Sequence, residues 1–502
     1  MDRRSSRRPR RGRSLAVLLA GALALAPPPA LAQVDNLPRL GDAISDELSP
    51  LAERRLGESI MRQVRRDAAW LDDADLVDYL NRFVRPLAAT PAAGGLDFEL
   101  FAIADPSINA FALPGGFIGV HAGLLMAAES ESELAAVLAH EIGHVTQRHI
   151  ARMLAQQRTA SLVSLGAFVL AVLAARSNPQ AAMGGVMLGD QVARQGMLSF
   201  SREAEREADR VGFEILRQAG FDTQGIVAFF IRLQTANRLY DSNAPSYMRT
   251  HPLTVERIAD MQLRIRDSRY RQRPDSLEFE LLRARLRATA DAGAEARTTS
   301  RARLEQQVRD SPGASAAPWY GLAAVAAAQR DWTRVDSALA QAQAVAGEPH
   351  PLFDRLAASA RIAAGDPAGA VARARAGLRR TPDSRGLARV LGEALLADGR
   401  PREAVSMLEE QLQTWRGDAR LWQLLSQAHE ALGQRTLAHR AAAERYAALG
   451  SPLTAREQLL LARKAADADF FTASVIDARI REIEADALRE LEETRQPVQQ
   501  QR

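Results

Sequence analysis

The chain has 502 residues and a formal net charge of +4, which is too long for one compact core and implies at least two domains. Residues 1–32 hold seven arginines and one aspartate, a net +6, so the remainder carries about −2 and offers no basic field for nucleic acid. There is no cysteine, so disulfides and lipidation of an N-terminal thiol are excluded, and any zinc has to sit on histidines and carboxylates.

In chain order, residues 1–32 have the three-part layout of a secretory signal peptide. Arginines run from Arg3 to Arg13, an apolar run extends from Leu15 to Ala26, and Ala30-Leu31-Ala32 offers a small-residue cleavage site. The apolar run falls short of the roughly 20 residues of a membrane span. Export to the periplasm with cleavage near Ala32 is the expectation. Further on, Phe98, Leu100 and Ala102 alternate along one face of a strand. Residues 106–116 read as a connection closed by Pro114-Gly115-Gly116, and a second strand runs from Phe117 to Val120.

A capping box, Ser130-x-x-Glu133, predicts a helix that carries Leu134, Val137 and Leu138 into the core and continues past His149. A second helix follows Ser201 and ends at Gly220. Between them, residues 160–175 form an apolar run too short for a comfortable span. It reads as a buried or hairpin helix, or as a mobile flap or membrane-surface contact. The arginine-rich stretch 266–276 marks a domain boundary.

Beyond that boundary the chain repeats every 34 residues, at Gly365, Gly399 and Gly433, at Ala370, Ala404 and Ala438, and at Phe353, Leu387 and Leu421. Pro367 and Pro401 share the phase. Small residues where two helices cross, with glycine at the turn between them, match the tetratricopeptide repeat. Trp319, Leu322 and Ala323 extend the pattern backwards, and the phase decays from Ala455 to Ala485 as in a capping repeat. The expected organisation is a signal peptide (1–32), a first domain (33–268), a repeat domain (269–490) and a polar tail (491–502). The fold class is mainly α (α+β), a domain with a small β-sheet followed by an all-α solenoid.

The chemistry centres on His140-Glu141-Ile142-Gly143-His144. Histidines four apart on a helix share one face and can meet one ion, and this motif asks its glutamate to deprotonate water. The same spacing also arises by chance in amphipathic helices, so a third ligand decides. Gln147 and Ile150 occupy the positions where the metzincin pattern needs Gly and His, which excludes that subclass. His149 lies five residues beyond His144 and is expected to point away from the pair, as a structural or surface residue. Glu205 and Asp209 lie one turn apart on the second helix. Glu205 suits a metal ligand, and Asp209 suits holding a ligand histidine through its other nitrogen. The competing reading is a charged helix face, with Arg202, Arg206 and Arg210 interleaved. The upstream motif reverses that balance.

"HEIGHVTQRH" and "SREAEREADRVG", with "DPSINAFALPGG" and "THPLTVERI", resemble the zinc peptidases of metallopeptidase family 48 over about residues 40–265. An exported chain with repeats is similar to the periplasmic type of that family, not to its multi-spanning membrane proteases. The resemblance implies a zincin-like domain with one Zn2+ per chain on His140, His144 and Glu205, Glu141 as general base, and Asp209 behind a ligand. The family's His-Pro…Arg element corresponds to His251, Pro252 and Arg257. Two roles are open for His251, blocking the metal or polarising the substrate carbonyl. Two are open for Arg257, stabilising the oxyanion or orienting the site. Asn109, Ala110 and Phe111 match a segment near an edge strand, where an extended substrate can pair. The implied function is gluzincin-type endopeptidase cleavage of misassembled outer-membrane proteins, with the repeats recruiting clients or their assembly machinery. The alternative is a repeat-based chaperone or assembly factor whose metal site is latent or structural.

Overall fold

A computed structural model of the protein describes residues 49–156, 201–239, 246–266, 273–290 and 293–495. The expected signal peptide, the apolar run 160–175 and residues 496–502 lie outside the described residues. Among the described residues, no helix is long and apolar enough to cross a membrane.

Helix α1 (Pro50–Val64) starts at Ser49, whose side chain accepts the Ala52 N–H, and α2 (Ala74–Ala88) starts at Asp73 in the same way. Strands β1 (Glu99–Ile103), β2 (Ala110–Leu113) and β3 (Phe117–His121) form one sheet in the order β1-β3-β2. The central β3 runs parallel to β1 and antiparallel to β2. The stretch read as a connection therefore contains a strand. As the terminal strand, β2 is paired along one side, and its residues are buried only at its two ends. It lacks the alternation that reveals a strand in sequence, and the Pro-Gly-Gly that follows reads as loop.

After α3 (Ala122–Ala127), α4 (Glu131–Thr146) passes through the interior, with every residue from Glu131 to His144 buried. Ser130 caps it by accepting the Glu133 N–H. The reciprocal bond of the box is displaced by one residue, because the Glu133 carboxylate accepts from Glu129 N and is held by Arg232. The helix does not continue past His149 as expected. It stops at Thr146, Arg148 takes a left-handed φ of 53°, and α5 (His149–Gln156) sets off in a new direction. Helix α6 (Arg202–Gln218) is capped by Ser201, and the chain turns at Gly220 with φ 78°. Helices α7 (Gln224–Leu239), α8 (Ser246–Thr250) and α9 (Val255–Arg266) complete this half.

The repeats follow as successive packed pairs. These are α10 (Leu277–Thr289) with α11 (Ala294–Asp310), α12 (Ala317–Ala328) with α13 (Trp332–Ala346), and α14 (Pro351–Ala364) with α15 (Pro367–Arg380). Next come α16 (Arg385–Ala397) with α17 (Pro401–Thr414), α18 (Ala419–Ala431) with α19 (Arg435–Ala448), and α20 (Pro452–Lys464) with α21 (Phe470–Arg495). Gly365, Gly399 and Gly433 sit between the paired helices at φ 83°, 68° and 74°, in open space. The turn needs glycine for its backbone conformation, not for room. One unit earlier the period offers no glycine, and Arg330 takes the left-handed position at φ 60°. Phe353, Leu387 and Leu421 are buried with Ala370, Ala404 and Ala438. The last helix runs to Arg495, five residues into the stretch read as a tail.

The described residues fall within one unit, with α10 packed against both α2 and α3. Asp73, Asp75 and Asp78 at the start of α2 meet Arg285, Arg355 and Arg385 from three repeat helices, at 2.6 Å, 2.6 Å and 2.7 Å.

Candidate metal centre

Helices α4 and α6 cross closely enough to face their polar residues on one another. A methyl on Gly143 would lie 2.8 Å from Ala208 O, and one on Gly212 would lie 3.0 Å from His140 N. The crossing turns His140 and His144 toward Glu205. The short α8 ends at Thr250 and delivers His251, whose N–H donates to Tyr247 O and whose ring stacks on Tyr247.

Four buried residues thus converge, His140, His144, Glu205 and His251, with one ligating atom of each within 4.8 Å of all the others. His140 Nε2 lies 3.0 Å from His144 Nε2 and 3.5 Å from Glu205 Oε2. His144 Nε2 lies 3.5 Å from Glu205 Oε1, and His251 Nδ1 lies 3.0 Å from Glu205 Oε1 and 3.4 Å from His140 Nε2. Zinc–ligand bonds of about 2.0–2.1 Å in a tetrahedron give edges of roughly 3.3 Å. The observed separations bracket that value.

Proton accounting points the same way. His140 Nδ1 is 3.0 Å from Asp209 Oδ1 and donates to it, which in the neutral ring leaves a lone pair on Nε2. Where His144 also presents a lone pair on Nε2, the two nitrogens, 3.0 Å apart, need a cation between them. Without a metal that cation is a proton. Burial would lower the pKa of His140, but Asp209 and Glu205 outweigh it and hold the ring up to about 10. Burial and the neighbouring His140 push His144 well below the ordinary imidazole range. Glu205 stays ionised against its burial because His251 and His140 face it. These donors, closed around one positive centre, fit a divalent metal.

Arg257 holds the arrangement from behind. Its Nε and Nη2 donate to the two oxygens of Asp209 at 2.6 Å and 2.8 Å, and Nη1 donates to Pro252 O at 2.8 Å. Nη1 also lies 2.7 Å from Glu205 Oε2 without the alignment of a hydrogen bond. Asp209 is held below the usual carboxylate range by Arg257 and His140, against its burial.

Glu141 differs from the other acids. It is fully buried, and neither carboxylate oxygen has a hydrogen-bond partner. His251 Nε2 lies 3.6 Å from its Oε1. Burial lifts its pKa above the ordinary range, against the pull of His251 and His140. An orphaned buried carboxylate beside a metal-type cluster is suited to take a proton from something that enters the site.

The edge strand is placed differently from its side chains. Asn109 Nδ2 faces His121 Nε2 at 3.5 Å, and the Phe111 ring packs on Phe101 and His121. Neither side chain joins the cluster. His121 N donates to Asn109 O, so by the antiparallel alternation the backbone groups of Ala110 and Ala112 face the sheet's open edge.

One residue is corrected outright. His149 does not point away from the pair; it is buried, with Nδ1 2.9 Å from His144 Nδ1 and Nε2 3.1 Å from Glu207 Oε2. The expectation assumed an unbroken helix, and the turn at Arg148 brings the ring back. Glu207 and Tyr247 went unnoticed in the sequence. Glu207 lies inside the same acidic run as Glu205 and Asp209, and that run was the available signal.

Comparison with known proteins agrees with this geometry. Residues 74–265 match the model of peptidase family M48, and residues 361–428 match a tetratricopeptide repeat. The chain is 33% identical over 468 residues to the beta-barrel assembly-enhancing protease of Escherichia coli, covering 92% of this chain and 93% of that protein. It is 31% identical to the protein of that name from Yersinia pestis, over 83% of this chain and 85% of that protein. The mitochondrial metalloendopeptidase OMA1 of Schizosaccharomyces pombe is 32% identical over 37% of this chain and 51% of its own length. With a metal-type cluster at the crossing of two helices and relatives matched over most of their length, the chain belongs to peptidase family M48 and is a metalloprotease.

Proposed function

We propose that this chain is a zinc-dependent endopeptidase of the periplasm that acts in the assembly and quality control of outer-membrane β-barrel proteins. The orphaned, buried Glu141 beside the four-residue cluster carries the enzymatic reading. The names of the full-length relatives and the arginine-rich, apolar leader support the substrate class and the compartment.

His140, His144 and Glu205 hold the metal, which when bound supplies Lewis-acid polarisation of a carbonyl. Glu141 takes a proton from the attacking water and returns it to the leaving amine. Asp209 fixes the His140 ring through Nδ1–H, and Arg257 fixes Asp209. Three of the five N–H donors of Arg257 go to Asp209 and Pro252, which supports the orienting role over the oxyanion role. An extended substrate pairs with the edge strand β2 through the backbone of Ala110 and Ala112, with Asn109 and Phe111 holding that strand. His251, with Nδ1 inside the cluster, supports the blocking role at rest. The repeats, helix pairs stacked in series, suit recruitment of a client or of the assembly machinery.

The presence of His251 in the cluster also supports a second reading, a repeat-based assembly factor whose metal site is closed. Peptide cleavage by purified protein, with Glu141→Gln and His251→Ala variants, separates the two. The enzyme reading expects Glu141→Gln to lose on the order of 10²–10⁴ in turnover while keeping its metal, and His251→Ala to cleave faster than wild type. No cleavage by wild type or His251→Ala would establish the assembly-factor reading.

A further inference from the structure

We propose that His149 and Glu207 form a positioning relay that orients the second metal-binding histidine, the counterpart of Asp209 behind the first. This rests on the metal reading above.

For a neutral His149, one proton arrangement satisfies the three contacts. Glu207 is held by Arg152 Nη1 at 2.9 Å and is an acceptor, so His149 Nε2 carries a hydrogen and donates to it across 3.1 Å. A neutral His149 then has its lone pair on Nδ1, and the facing His144 Nδ1, 2.9 Å away, must be the donor. That fixes His144 with a bare Nε2, which is the atom aimed at His140 and Glu205. Holding the outer nitrogen of a ligand histidine sets both its tautomer and its ring angle.

The chain is bent to achieve this. On a continuous helix His149 would sit roughly 140° around from His144. The left-handed Arg148, whose side chain pairs with Glu53 at 3.3 Å, breaks the helix and returns the next residue to its own motif. A left-handed non-glycine residue is strained, which marks the turn as held by its surroundings. Both outer nitrogens thus end on carboxylates of α6. Asp209 takes the one from His140 directly, and Glu207 takes the one from His144 through His149.

The test is zinc affinity, measured by competition with a chromophoric chelator, for wild type, His149→Phe and His149→Asn. Thermal unfolding of each metal-free protein is recorded alongside. Phenylalanine keeps the ring and loses the acceptor, whereas the Asn Oδ1 takes the place of Nδ1. The relay predicts 10–100-fold weaker zinc binding in His149→Phe, most of it recovered in His149→Asn, with metal-free unfolding little changed in either. Wild-type affinity in both variants would overturn the relay. So would equal weakening in both that tracks a loss of metal-free stability, since packing alone would explain it. Absence of zinc binding in wild type would instead overturn the metal reading.

Discussion

Asp209 and Arg257 present no atom to the metal position, yet they set where His140 points. Both are almost wholly buried and share two hydrogen bonds. Removing one partner strands the other's charge, which costs roughly 3–5 kcal/mol in a buried pair. Arg257→Ala should therefore destabilise the metal-free protein by about that amount, seen as a lower denaturant midpoint. Arg257→Lys should recover little, because a point charge cannot reproduce the planar fork. Equal stability of Arg257→Lys and wild type would remove the fork from the account. At this scale the sequence was most legible where spacing alone acts, as for His140 and His144 four residues apart. His149 was misread because helical phase was extended across a break. Its cause, a left-handed arginine, has no glycine or proline to announce it.

At the scale of elements, the crossing of α4 and α6 governs the site. Gly143 stands inside the motif and Gly212 three residues after Asp209, and each lets the other helix's backbone approach. Overpacking of this kind costs typically about 1–3 kcal/mol. Gly143→Ala and Gly212→Ala should each lower stability within that range and weaken zinc binding, because both separate the ligand helices. Stability and affinity equal to wild type in both would show that the approach is loose. The starts of α4 and α6 were readable from Ser130 and Ser201, whose oxygens accept the N–H three residues on. The strand β2 was not. Half of its pairing is missing, and its identity comes from β3, a long-range partner that local pattern does not reveal.

At the scale of the whole molecule, the acidic start of α2 ties the peptidase half to the repeats. Asp75 is buried and reaches Arg355 at 2.6 Å and Arg285 at 3.6 Å. Asp75→Ala should destabilise the junction and split a joint calorimetric transition into two. A single unshifted transition would show that the junction contributes nothing to cooperativity. The repeat period was legible because its turn glycines and crossing alanines recur at fixed spacing. The junction was not, since its arginines come from three different helices.

Acid sensitivity in the repeats has a source at His350. His350 Nδ1 accepts the Leu352 N–H at the start of α14, and burial depresses its pKa from 6.5 to about 4. Between those values the unfolded chain binds a proton that the folded chain does not, so stability falls as pH drops through that window. His350→Asn keeps a capping acceptor that does not titrate. Its melting temperature should decline less than that of wild type between pH 6.5 and 4, and an identical decline would contradict this assignment.

The most direct test of the central claim is the zinc content of residues 33–502, measured after reconstitution and gel filtration, beside Glu205→Gln. About one zinc per chain in the wild type, lost or much weakened in the variant, is the predicted result. No retained zinc in the wild type, or full retention in the variant, would contradict the site.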